Sequence, residues 1–140
     1  MRVYLDTNFV IRFVEGATDR LDRVVDMADA GTIELVTSEL TSAEVLVVPF
    51  RLAKSDLVDT YETLLSGDGF IEVLPVTRDV LRRSAAIRAT IGNKGMDAIH
   101  VATAASAECS IFLSSDTGIR LPPGMRLVTL EAIEAGDPLA

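Results

Sequence analysis

The chain has no tryptophan and a single cysteine, Cys109. One cysteine excludes an internal disulfide, and no cysteine cluster is present to hold zinc. Lying between two apolar segments, Cys109 reads as a buried structural thiol rather than a nucleophile. Lysine is scarce: of 13 basic residues only Lys54 and Lys94 are lysine, and the rest are arginine, which suits bidentate contacts to phosphate or carboxylate. Positive charge is in deficit, with a net charge of −8. That excludes broad electrostatic adhesion to nucleic acid, but not an enzyme whose acidic site is neutralised by cations. No apolar run approaches the roughly 20 residues of a membrane span. The N-terminal MRVYLDTNFV lacks a leader pattern, so the expected location is the cytoplasm.

What is present is a 140-residue chain, 49% apolar, enough for one domain over 1–140 with a full core. Strands are expected at 2–5, 33–37, 70–76, 110–114 and 126–129. Helices are expected at 7–15, 18–30, 41–53, 56–66, 78–91 and 96–107, with a last helical turn at 130–135. In 18–30 the residues Leu21, Val24, Val25 and Ala28 fall at helical spacing. Over 78–91 the inward face is read as Val80, Leu81, Ala85 and Ile87. Pro49 is expected to bend or break the 41–53 helix late. Strands alternating with helices predict a mostly parallel sheet covered on both faces, an α/β fold.

In such a fold the C-terminal ends of strands share an edge with the N-terminal ends of helices, and ligands bind where strand order reverses. Four acids fall on that edge. Asp6 follows the first strand. Asp116 follows the strand at 110–114. Glu44 is placed in the first turn of the helix after the second strand. Asp97 opens the alanine-rich helix MDAIHVATAASA. Crowded carboxylates raise one another's pKa, and a hard divalent cation resolves the repulsion. Oxygen-only ligands favour Mg2+ or Mn2+ over zinc, and such ions activate water against a phosphodiester. Each acid also has a purely structural reading. Asp6 and Asp97 are candidate helix caps, Glu44 fits a capping box with Thr41 in TSAE, and Asp116 fits a turn before Gly118.

LDTN at 5–8, SELTSAEV at 38–45, DAIHVATA at 97–104 and FLSSD at 112–116 resemble the PIN-domain ribonucleases, with closest likeness to the VapC-type toxins of toxin–antitoxin pairs. The resemblance spans residues 2–130. It implies a parallel sheet of about five strands with the acidic site on its carboxyl edge. It also implies that Asp6, Glu44, Asp97 and Asp116 are the catalytic residues and bind Mg2+ or Mn2+. The implied substrate is RNA, cut endonucleolytically, and the implied partners are a cognate antitoxin and a second copy of the chain. Asn8 and Ser114 match positions that support the metal site by hydrogen bonding. After Asp116 the chain departs from the family pattern: TGIRLPPGM stands where an acid followed by an aromatic residue is usual.

His100 lies one helical turn from Asp97. It is either a water-orienting or proton-accepting group, or a satisfied half-buried histidine. Arg12, Lys94 and Arg120 neighbour the acidic motifs and are candidates for phosphate contact. Arg78, Arg82, Arg83 and Arg88 read as a polar helix face. The apolar run VLVVPF at 45–50 is either core or a protein interface. Two other functions are weighed against a nuclease. One is a non-catalytic binding module whose acids are caps and turns. The other is an aspartate-dependent phosphatase, which lacks its second acid because position 8 is asparagine.

Overall fold

The computed structural model describes residues 1–16, 21–136 and 139. Five short strands form one sheet: β1 (Arg2–Leu5), β2 (Glu34–Ser38), β3 (Ile71–Leu74), β4 (Ile111–Leu113) and β5 (Arg126–Val128). Their order is β3-β2-β1-β4-β5 and every pairing is parallel. The chain builds outward from β1 to β3, then returns to the other side of β1 for β4. Strand order therefore reverses between β1 and β4, and the crevice beyond their carboxyl ends is where parallel sheets bind ligands.

Alternation along β1 sorts its side chains between two layers. Val3 and Leu5 pack with Phe9 and Val10 of α1 (Thr7–Glu15), Val24 of α2 (Asp22–Asp29), Val45 of α3 (Glu39–Val45) and Tyr61 of α5 (Ser55–Leu64). Tyr4 faces the other way, with Phe112 of β4 and with Val101 and Ala104 of α7 (Gly95–Ser106). The Tyr4 and Phe112 rings stack with centroids 5.0 Å apart. Ala98, Ala102 and Ala104 are buried, so α7 sits close against the sheet and its first turn is held at the sheet's carboxyl edge. Cys109 is buried in the same layer, and burial pushes its thiol up to about 11, as befits a structural thiol.

Several local expectations change. The expected 18–30 helix is seen as Asp22–Asp29, and residues 18–20 lie outside the described residues. The expected 41–53 helix starts earlier and is two helices, α3 and α4 (Val47–Arg51), joined at Leu46. Ser38, not Thr41, caps α3: its hydroxyl accepts from the Leu40 N–H at 3.0 Å. Thr41 is buried and bonds the Thr37 hydroxyl at 2.8 Å, so TSAE is not a capping box. The break falls before Pro49 rather than after it, because Pro49 occupies the first turn of α4, where its missing N–H costs nothing. In α6 (Arg78–Thr90) the inward residues are Val80, Ser84 and Ile87, while Leu81 and Ala85 are exposed. Ser84 takes the inward position because its hydroxyl is satisfied by the Leu81 carbonyl at 2.6 Å. Among the described residues no helix is long and apolar enough to cross a membrane.

Candidate active site

Asp6 ends β1 and caps α1. Its N–H continues the sheet by donating to the Leu113 carbonyl at 3.0 Å. Its Oδ1 accepts from the Thr7 N–H at 2.9 Å. Its Oδ2 accepts from the Ser114 hydroxyl at 2.7 Å and from the Asn8 amide at 3.4 Å. Asn8 also donates to Ser114 Oγ at 3.2 Å and accepts from the Ser115 N–H at 3.0 Å. The carboxylate is thus buried, at 4% exposure, and satisfied by the ends of both central strands. The support expected of Asn8 and Ser114 is present.

Glu44 lies in the second turn of α3, not the first, because that helix begins at Glu39. Its Oε1 accepts from the Thr7 hydroxyl at 2.8 Å and from His100 Nε2 at 2.5 Å. Burial alone would push its carboxyl up. The bonds from His100 and Thr7 and the nearby ring outweigh burial, and the carboxyl is held below the ordinary carboxylate value. His100 is fully buried rather than half-buried, and its Nδ1 lies 2.6 Å from the Tyr4 hydroxyl.

Asp97 occupies the first turn of α7, whose cap position is Lys94, with no side-chain cap bond. The capping role considered for Asp97 is therefore not what it does. Burial pushes its carboxyl up first, and the charges of Asp6, Asp116 and Glu44 push it further, opposed by His100. Four acids from four parts of the chain thus sense one another's charge.

Asp116 is exposed and also serves its turn: Oδ1 accepts from the Gly118 N–H at 2.8 Å, and its own N–H donates to Ser114 Oγ at 3.0 Å. The loop after it is tied to the approach to α7 by one side chain. Asn93 donates to the Arg120 carbonyl at 2.8 Å and accepts from the Arg120 N–H at 2.9 Å. The Arg120 guanidinium also donates to the Ile91 carbonyl at 3.2 Å. Arg12 and Lys94 are exposed.

Tyr4 and Thr7 join this hydrogen-bond network, and the sequence motifs do not single out Tyr4. The available signal was chemical: a tyrosine inside a buried strand needs a partner for its hydroxyl.

The PIN domain model matches residues 3–123. The chain belongs to the PIN-domain family. PIN domains are nucleases that generally use divalent metal ions. Solved structures show the same fold. A toxin–antitoxin complex from Klebsiella pneumoniae matches with a TM-score of 0.70 and 24% identity, over 91% of this chain and 97% of that one. DNA-bound VapBC from Salmonella typhimurium gives 0.75 and 19% identity, over 93% and 98%. FitAB bound to a DNA fragment gives 0.68 and 23%, over 93% and 95%. No curated protein sequence matches the chain.

The residues of this PIN domain fit a divalent cation by charge and donor type. The rim offers carboxylate oxygens, and Asp97 carries repulsion that a cation would remove. Among the described residues, no three His, Cys, Asp or Glu side chains stand together as a ready-made metal cage.

Proposed function

We propose that this PIN domain is a metal-dependent endoribonuclease, the toxin component of a toxin–antitoxin pair. One observation carries the reading: at a topological switch point burial raises the Asp97 carboxyl, and the charges of Asp6, Asp116 and Glu44 raise it further against the pull of His100. Structural caps and turns have no reason to gather such repulsion in one place. Asp6, Glu44, Asp97 and Asp116 would hold Mg2+ or Mn2+. A bound ion of this kind supplies an activated water and offsets charge on a phosphodiester. The chain's own part is orientation. Ser114, Asn8 and the Thr7 N–H fix Asp6, and the Thr7 hydroxyl and His100 fix Glu44.

The toxin role draws on the structural neighbours, which are toxin–antitoxin, VapBC and FitAB complexes. The partner would be an antitoxin whose basic side chains suit an acidic rim and a chain of net charge −8. The test is cleavage of single-stranded RNA with manganese, repeated in excess chelator. Manganese-dependent cleavage that falls to background in chelator is expected; chelator-resistant cleavage contradicts the proposal.

A second reading has its own support, since Asp6 does cap α1 and Asp116 does form a turn. A binding module built on those roles predicts no heat of binding when millimolar manganese is titrated in.

The run at 45–50 divides. Val45 and Pro49 are buried, while Val48 and Phe50 are 53% and 62% exposed, flanked by exposed Val47 and Leu52. We assign this apolar strip to contact with a second copy of the chain. Phe50→Asp is expected to shift the protein from dimer to monomer in sedimentation velocity. An unchanged sedimentation coefficient would remove the assignment.

A further inference from the structure

We infer that Tyr4 and His100 form a positioning chain that orients the Glu44 carboxylate toward the other acids. The inference rests on the nuclease reading and deepens it.

Tyr4 and His100 are 0% and 1% exposed, so their polar atoms must find partners within the protein. Both ring nitrogens of His100 are engaged. Nε2 meets Glu44 Oε1 at 2.5 Å, and Nδ1 meets the Tyr4 hydroxyl at 2.6 Å. An ionised carboxylate only accepts, so the proton sits on Nε2. With the ring taken as singly protonated, Nδ1 accepts and Tyr4 donates to it. Direction therefore runs one way: Tyr4 O–H to Nδ1, then Nε2–H to Glu44.

The chain is anchored at its inner end. The Tyr4 ring stacks on Phe112, and the His100 ring meets it edge-on, with centroids 5.8 Å apart at 63°. At its outer end both donors, His100 and Thr7, bond the same oxygen, Oε1. Oε2 is left as the oxygen presented to a ligand. Nε2 also lies 3.9 Å from Asp6 Oδ1, so the ring stands between two of the acids. With the ring buried and both nitrogens taken, His100 positions Glu44 rather than exchanging a proton with water. A phenylalanine would keep the stacked ring of Tyr4; only the donor to His100 needs the hydroxyl.

Tyr4→Phe removes one hydroxyl and keeps the stacked ring. The chain has one histidine, so its imidazole nitrogens give an unambiguous 15N spectrum. The parent is expected to show the Nε2–H tautomer, and Tyr4→Phe a mixture of tautomers. Calorimetric manganese affinity should fall about tenfold in Tyr4→Phe, the usual cost of losing an outer partner. Thr7→Val, which removes the other donor to Oε1 from outside the core, should weaken manganese binding in the same way. RNA cleavage by Tyr4→Phe should fall about tenfold in the parent and not at all further in a Glu44→Gln background, whereas a merely structural loss would repeat in both. A proton on Nδ1 in the parent, unchanged manganese affinity in both variants, or an equal loss in the Glu44→Gln background overturns the inference. If the parent binds manganese through this chain but cuts no RNA, the nuclease reading fails and the positioning chain stands. If the parent binds no manganese, both fall.

Discussion

In Asp97→Asn, RNA cleavage falls by roughly two to three orders of magnitude, the scale set by losing several kcal/mol of charge stabilisation at a metal site. The same variant is more heat-stable than the parent in chelator. These opposite effects have one origin. Burial and the charges of Asp6, Asp116 and Glu44 raise the Asp97 carboxyl above its unfolded value. A raised carboxyl favours the folded state in its protonated form. That contribution is complete below the unfolded value and is lost as pH rises through the folded one. At neutral pH the ionised side chain therefore weakens the fold, and Asn relieves it. Differential scanning calorimetry in chelator should show the Asn variant's advantage growing from acid toward neutral pH. A variant less stable than the parent at neutral pH would contradict the electrostatic account. Retained RNA cleavage would contradict the nuclease.

Asp6→Ala should lose activity to a similar degree but move stability the other way. The carboxylate receives the Thr7 N–H, the Ser114 hydroxyl and the Asn8 amide. Alanine strands the buried Ser114 hydroxyl and, by removing the acceptor of the Thr7 N–H, uncaps α1, while the Asn8 amide keeps Ser114 Oγ. The orphaned hydroxyl costs about 1–3 kcal/mol and the lost cap about 1 kcal/mol. The combined loss is a large part of the 5–15 kcal/mol typical of a whole domain. Urea denaturation should show an earlier midpoint, with Asp6→Asn milder because it keeps an acceptor oxygen. A midpoint unchanged in Asp6→Ala would mean that the hydrogen bonds around this acid contribute little. The two acids thus separate by stability: Asp6 is held by donors, and Asp97 is held against repulsion.

Much of this was legible from residue order. The apolar strands ending at Asp6 and just before Asp116, and the small-residue helix behind Asp97, follow from burial and periodicity alone. They also place the acids on one edge of the sheet. What escaped was decided by competition between near-equivalent local signals. Ser38 and Thr41 are both good helix caps, but Ser38 caps α3 while Thr41 is buried against the Thr37 hydroxyl, itself bonded to the Leu5 carbonyl across the sheet. Leu81 and Ser84 compete for the inward face of α6, and hydropathy favours the wrong one. Tyr4 alternates toward α7 as expected of a strand residue. Its bond to His100, however, crosses 96 residues of sequence and leaves no local trace.

The pair of hydrogen bonds between the Asn93 side chain and the Arg120 backbone ties together the two loops beside the acids. A side-chain amide there imitates a strand neighbour, with one donor and one acceptor in register. The Asp116 loop can therefore do without a strand of its own. Lengthening or shortening either loop would strain the other, so one asparagine adds to the sheet in setting the spacing between Asp97 and Asp116.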